Sequence, residues 1–392
     1  YQDILEKNQH VLDELSQALE NRMSEWAHPD AKLRLRWTQD PQKSVRVDEP
    51  WAQVQAGEGD FEGELARFGH GFQRSYLLAL LQELARYEDE ESPTLILACE
   101  EPELYQHPPQ ARHLASVLNG ISKSNAQVVV SSHDPRFVSG EGFEDVRVVR
   151  KDRKSGASSV AHMTFDEISQ SVAQATGSKP EKPEGVLAKI HQTLQPELNE
   201  MFFARRLVLV EGYEDAAYIL TQLNLMEKLE EYRKIGCHVV PANGKSALIQ
   251  PLVVARGLGI PTYTLFDADT DKKDRNGSAK KHENDNRALL NILGEPAQKP
   301  MPEQTIRGAG FTMWSSDIGG VVENEIGAER WKELRDKADH EFGQVGRLRK
   351  NSLHIGVSLA WAWQDGLVSE SLIKLCEDII DESNGIQQTP FI

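Results

Sequence analysis

The sequence predicts an α/β protein of two domains, each built on parallel strands. Apolar runs of strand length recur along it: TLILA at 94–98, QVVVSS at 127–132, LVLV at 207–210, HVVP at 238–241 and YTLF at 263–266. Segments with helical spacing separate them, an order that pairs strands in parallel. The stretch SKPEKPEG at 178–185 divides the strands into two groups and reads as a linker, because Pro180 and Pro183 would interrupt a helix. At 392 residues the chain is long enough for two cores.

Taken in order, Ile4, Leu5, Val11, Leu12, Leu15, Leu19, Met23 and Trp26 fall at helical spacing. Leu33, Leu35 and Trp37 then alternate with charged residues, as do Val45 and Val47, so strands or a hairpin are expected to about residue 56. Glycines and acids over 57–71 read as a loop, with a helix from Gln73 to about Tyr87. Ala111–Leu118 is helical between the first two buried strands. VRVV inside 135–160 suggests an edge strand, and Val186, Leu187, Ile190, Leu194 and Leu198 form another helical stripe. Helices at 215–228 and 245–255 separate the last three strands. The segment 270–287 has almost no apolar content and reads as a hydrated loop, and 352–380 is mainly helical. The expected domains are 1–165 and 201–392, with a linker and helix over 166–200.

A formal charge of −17 argues against an extended basic surface wrapping DNA, yet it allows DNA held through metal ions or a local basic patch. Cys99, Cys237 and Cys376 are too few and too scattered for a disulfide framework or a Cys-rich zinc site. No apolar run approaches the roughly 20 residues that span a bilayer, so no membrane association is expected. With no signal peptide in sight, the expected location is cytoplasmic. The chain opens on Tyr1 rather than Met, which suggests a fragment, an ordered core or a processed product.

Two acidic clusters carry the chemistry: LVLVEGYEDAAYIL at 207–220 and YTLFDADTD at 263–271. Each sets carboxylates where an apolar strand gives way to a turn. Glu211 would close one strand, with Asp215 in the first turn of the next helix, where the positive helix end favours its charge. Asp267 and Asp269 are two apart and would share a face in extended backbone. Hard oxygen ligands on one rim of a sheet suit Mg²⁺ or Mn²⁺, one or two ions, and phosphodiester chemistry. Lone acids at strand ends are usually plain surface residues; two such clusters in one α/β domain are not. NGKSA at 243–247 is no phosphate loop, since the glycine required five residues before Gly244 is Val239. Gly244 and Lys245 read instead as a turn near the rim, with a contact of Lys245 to DNA phosphate the less favoured alternative.

VEGYED followed by a strand ending in DAD resembles the Toprim domain of topoisomerases, primases and a class of nucleases. The resemblance implies Glu211 as a metal-associated acid or acid–base group and Asp267 and Asp269 as metal ligands. Asp215 matches the form seen in Toprim nucleases. In GGVVENEIG at 319–327 both Glu323 and Glu325 are candidates, with Glu323 preferred as the metal-facing acid. Lys350 in RLRKNSLHIG at 347–356 resembles the late lysine of nucleases of the overcoming-lysogenization-defect (OLD) family, where it would stabilise developing negative charge.

The first domain resembles the C-terminal part of an ABC-type ATPase. In TLILACEEPELYQHP at 94–108, Glu100 stands where the Mg²⁺-associated acid sits, normally Asp, and Glu101 takes the place of the water-orienting glutamate. His133 in VVVSSHDP resembles the switch histidine. FGHGFQRS at 68–75 is a divergent signature segment, with Ser75 at a helix start to meet nucleotide. No Walker A is present, so ATP is expected only with a segment outside this chain. A partial ABC-type domain, then a Toprim domain with a parallel sheet flanked by helices, then further helices, is the OLD-family order. That order implies a metal-dependent DNA endonuclease, a homodimer through the ATPase region and nucleotide regulation. The alternatives are an ATPase-related DNA-binding or assembly module with a non-catalytic metal site, or a topoisomerase-like protein, for which Tyr213 and Tyr263 are poorly placed nucleophiles.

Overall fold

The computed structural model describes residues 7–26, 31–38, 51–86, 95–124, 126–151, 155–271, 278–343 and 346–381. Ile4, Leu5, Val45, Val47, Tyr87, Thr94, Lys272, Lys273 and Arg275, named or implied in the expected elements, lie outside them. Two compact units form, 1–137 and 138–392.

In the first unit, helix α1 (Gln9–Trp26) lies on a three-stranded antiparallel sheet of β1 (Ala31–Thr38), β2 (Trp51–Glu58) and β3 (Phe61–Glu64). The alternation of Leu33 and Leu35 buries one face against Leu12, Leu19, Met23 and Phe72, the last from α2 (His70–Arg86). The expected loop over 57–71 instead contains β3. Gly59, at φ +60°, supplies the positive angle that a two-residue hairpin asks of its first residue. Next come β4 (Leu95–Glu100), α3 (Pro108–Ser122) and β5 (Ala126–Ser131), the anticipated parallel α/β pair. Leu97, Leu114, Leu118 and Ile121 form its core.

The second unit opens with the hairpin β6 (Val148–Lys151) and β7 (Ser158–Ala161), then α4 (Phe165–Thr176) and α5 (Pro183–Thr193). Pro183 does not break a helix but starts one, at a position where its missing N–H costs nothing and its fixed φ fits. Phe165, Ile168, Ile190 and Leu198 share one core with the sheet that follows.

That sheet has the order β11-β12-β10-β8-β9. Its strands are β8 (Arg206–Val210), β9 (Cys237–Pro241), β10 (Thr262–Asp267), β11 (Ile306–Gly308) and β12 (Phe311–Trp314). All pair in parallel except the edge strand β11. Helix α6 (Tyr213–Leu225) follows β8, α7 (Lys245–Gly257) follows β9 and α8 (Ser278–Leu293) follows β10. Then come α9 (Ile318–Ile326), α10 (Ala328–Glu341), α11 (Ser352–Gln364) and α12 (Glu370–Ile380). Both faces of the sheet are covered, as the unbroken apolar runs require. Leu207 and Leu209 face the layer holding α7 and α8, while Val208 and Val210 face that of α6, α9, α11 and α12. The hydrated loop expected to residue 287 ends sooner, because α8 begins at Ser278. Its apolar anchors, Leu289, Leu290 and Ile292, lie beyond the polar stretch. Among the described residues no helix is long and apolar enough to cross a membrane.

Candidate active site

Three adjacent parallel strands, β8, β10 and β12, run their C-terminal ends to one rim, the usual ligand edge of such sheets. Glu211 follows β8, Asp267 closes β10 and Asp317 stands just beyond β12. Glu211 accepts a hydrogen bond from the Asp267 backbone N–H at 2.8 Å, which ties the first two ends together. Asp317 caps α9, its Oδ1 accepting from Gly320 N at 2.7 Å.

Asp215 lies in the first turn of α6 and is buried; its Oδ2 accepts from Gly212 N at 2.9 Å. Burial drives its carboxyl up to about 7, with Glu211 and Glu214 adding to the rise against the pull of Gly212 N and Lys350. Asp267 is pushed well above the usual carboxylate range, first by burial and then by Asp215, Glu211, Asp317 and Asp269. Its Oδ1 is buried with no hydrogen-bond partner among the described residues. Asp215 and Asp267 therefore hold their protons to higher pH than isolated carboxyls do.

Asp269 departs from the extended geometry expected of it. At φ +58° the chain leaves the strand alternation, so the face shared with Asp267 is not dictated by the pleat. Its Oδ2 accepts from Lys245 Nζ at 2.5 Å, with His282 Nδ1 at 3.0 Å. Lys245 thus reaches the rim as expected, but it is buried and turned to Asp269 rather than outward to a phosphate. Lys350, just before the Asn351 N-cap of α11, donates from Nζ to Glu214 Oε2 at 2.7 Å and is 84 % exposed. The segment leading to it is anchored from below. Arg349 bonds Asp336 and Asp339, and the buried His354 Nε2 lies 3.1 Å from Asp339 Oδ1.

Glu323 is half-buried on α9, and its charge, with those of Glu214 and Asp317, acts on the buried Tyr218. Glu325 is engaged elsewhere, accepting from Ser369 Oγ, Ser371 N and Ser371 Oγ. Gly319 opens α9 in a confined space. A methyl group there would stand 3.3 Å from Asp317 Oδ1, 3.4 Å from Tyr218 OH and 3.5 Å from Glu214 Oε1. Asp317, Glu214 and the Asp339–His354 anchor were not among the expected residues. Only Glu214 had a local signal, lying inside the VEGYED motif itself. Among the described residues, no three His, Cys, Asp or Glu side chains already stand as a metal cage.

The first unit carries a separate cluster. Glu100 is exposed at the end of β4, paired in register with Ser131 of β5. Glu101, at φ +44°, has Oε1 3.3 Å from His133 Nε2, and its carbonyl accepts from Arg74 at 2.6 Å. Burial and the neighbouring Glu103 raise the Glu101 carboxyl. Glu103, unremarked in the sequence, accepts from Ser132 Oγ at 2.6 Å. Ser75 is buried within α2, with 1 % of its surface exposed.

Acids at the ends of neighbouring parallel strands, flanked by helices, define a Toprim-type domain here, and an ATPase-type segment precedes it in the chain. Comparison with known families agrees. Residues 1–138 match the model of an AAA ATPase domain, and residues 202–269 match that of the overcoming lysogenization defect protein-like TOPRIM domain. The chain is 27% identical over 227 residues to the Old nuclease of Escherichia phage P2, covering 53% of this chain and 34% of that protein. It is 29% identical over 224 residues to the OLD nuclease of Thermus scotoductus, covering 56% of this chain and 39% of the relative. It thus spans well under half the length of these curated relatives. A solved C-terminal region of the Xanthomonas campestris pv. campestris OLD protein is 16% identical, covering 46% of this chain and 82% of that one. Its TM-score is 0.26, too low to bear on the fold. In architecture the chain thus resembles the OLD-family nucleases, with a partial AAA ATPase domain followed by a Toprim domain.

Proposed function

We propose that this chain is a divalent-metal-dependent DNA endonuclease acting through its Toprim rim. The observation that carries the reading is Asp267, a half-buried acid whose Oδ1 is buried without a hydrogen-bond partner among the described residues, at the centre of a carboxylate cluster. Such a group keeps a proton when alone and carries its charge readily only beside a cation, because an ionised carboxyl shielded from water among like charges is costly. Asp267, Asp215, Asp269 and Glu211 would hold one or two Mg²⁺ or Mn²⁺ ions, with Glu323 as an outer acid. Bound there, the metal would polarise the phosphate and offset the charge of the leaving oxyanion. A preformed cage is not required, since substrate phosphate can complete the coordination.

The chain's own groups supply the rest. Glu211, fixed by the Asp267 amide, is held to take or return a proton at the rim. Lys350, exposed and close to Glu214, is placed to meet the negative charge that develops when water attacks phosphorus. A topoisomerase-like role for Tyr213 is disfavoured. Its hydroxyl bonds Glu197 at 2.6 and 2.7 Å, which raises its pKa and makes it harder to ionise as a nucleophile. In the complete protein the reading includes nucleotide regulation through Glu100, Glu101 and His133; Ser75, the sixth residue of its helix and buried there rather than at the expected start, is left out of it. ATP would be gripped with a Walker A segment outside this chain, in a cytoplasmic homodimer.

Titrating plasmid DNA with Mg²⁺ or Mn²⁺ tests the reading. Relaxed or linear product should appear only with metal and vanish in Asp267→Ala, while that variant keeps its fold. Full cleavage by Asp267→Ala sinks the assignment.

A further inference from the structure

The two carboxylates of the DAD segment keep different company. Asp267 looks onto acids, whereas Asp269 meets a cation that belongs to the chain. Lys245 and Asp269 form an ion pair whose side chains are 5 % and 4 % exposed. His282 Nδ1 lies 3.4 Å from the same ammonium. The lysine is delivered there by backbone geometry. Gly244, at φ +126°, donates its N–H to Glu211 O at 2.7 Å, and Lys245 is the first residue of α7. Helix α8 is fastened to the same place, with Ser246 Oγ donating to Asp285 at 2.5 Å and Asn286 Nδ2 donating to Ala268 O at 3.0 Å.

An ammonium against a buried carboxylate does for that oxygen what a divalent ion would do. It neutralises the charge while the oxygen stays out of water. Resting on the metal-dependent reading above, we infer that Lys245 is a resident cation: it holds Asp269 in the metal-free protein and gives up Asp269 Oδ2 to the incoming ion. Metal binding then works against the breaking of a buried ion pair, which lowers apparent affinity. Lys245 is on this account a positioning residue that sets the metal concentration at which the rim loads. It is not a contact to DNA, because its burial leaves no reach to a phosphate outside.

The test uses the full chain without DNA and Mn²⁺ as the probe, with the ion followed by electron paramagnetic resonance and the fold by thermal denaturation. Lys245→Gln should melt below wild type in chelator, because it takes the ammonium away from a buried carboxylate. It should bind Mn²⁺ about tenfold tighter or more, with a larger gain in Tm on adding the ion. Unchanged or weaker Mn²⁺ affinity in Lys245→Gln overturns the inference and leaves a purely structural ion pair. Asp267→Asn separates this from the reading beneath it: if Mn²⁺ binding survives that change untouched, the metal rim itself is wrong. Should Lys245→Gln not fold, wild type decides. The Lys245 ammonium protons, identified by their loss in Lys245→Arg, should exchange slowly in chelator and faster in saturating Mg²⁺. Exchange that does not respond to Mg²⁺ overturns the inference equally.

Discussion

The amide of Asp267 is the hydrogen-bond donor to Glu211 Oε1, so the acid that ends β10 positions the acid that follows β8. Substitution of Glu211 separates this strap from its charge. Glu211→Gln keeps an acceptor oxygen and should melt near wild type, yet lose about 10²-fold or more in cleavage rate. Glu211→Ala should lose both, with about 1–2 kcal/mol of stability gone along with the bond. Urea denaturation beside a plasmid assay checks the pair. A Glu211→Gln protein that cleaves normally would remove Glu211 from the chemistry.

The raised carboxyls make the metal-free protein sensitive to pH in a defined direction. Asp215 titrates near 7 when folded against an ordinary value of 3.8, so between those limits the folded state keeps a proton that the unfolded chain has lost. Stability should therefore be fullest on the acid side and fall as pH rises through that window, by at most about 1.4 kcal/mol per pH unit from this group. Asp267 is shifted the same way and adds to the slope. Melting in chelator at pH 5 and pH 7.5 measures it, and Asp215→Asn should flatten the difference. A chain that grows more stable over that range would show the rim to be neutralised by groups other than protons.

The strands and their acid ends were legible because β8, β9 and β10 are uninterrupted apolar runs bounded by turn residues, a signal contained in five or six letters. β12 was not, since FTMW is short and lies among turns, so Asp317, three residues beyond it, went unseen although its charge acts on Asp267. The helix α4 did have a local mark. Thr164 and Glu167 form a capping box, and Gly177 closes the helix at φ +69°. Asp269 shows the limit of periodicity arguments. Two-residue spacing implies a shared face only while the backbone stays extended, and a left-handed φ at Asp269 ends that. The partners of Lys245 and Lys350 lie far off in sequence, and no local pattern encodes them.

Lys350 and its support should respond differently. Lys350→Met removes an exposed ammonium and should change stability by less than about 0.5 kcal/mol, while slowing cleavage about 10²-fold. Asp339 anchors the segment below. Burial alone would raise its carboxyl, but the Gly346 amide, Arg349 and His354 together hold it below the usual range. Asp339→Ala strands the buried His354 Nε2, at a cost of about 1–3 kcal/mol. Cleavage should fall as well, because Lys350 loses its footing. Equal melting temperatures for the two variants would contradict this division.

Glu323 and Glu325, two residues apart on α9, should separate cleanly. Glu325 accepts from Ser371 N at 3.1 Å, from Ser371 Oγ at 2.6 Å and from Ser369, the N-cap of α12. Helix α12 buries Leu372, Leu375, Cys376 and Ile379 in the layer that also packs α6 against the sheet. Glu325→Ala leaves the start of α12 short of acceptors and should cost about 1–2 kcal/mol, with cleavage at low temperature kept. Glu323 faces the side where its charge meets Tyr218 together with Asp317 and Glu214. Glu323→Gln should leave the melting temperature close to wild type and raise the Mn²⁺ concentration needed for half-maximal cleavage. Thermal denaturation and a metal titration of the plasmid assay measure both. A metal requirement that shifts with Glu325→Ala rather than Glu323→Gln would exchange the two roles.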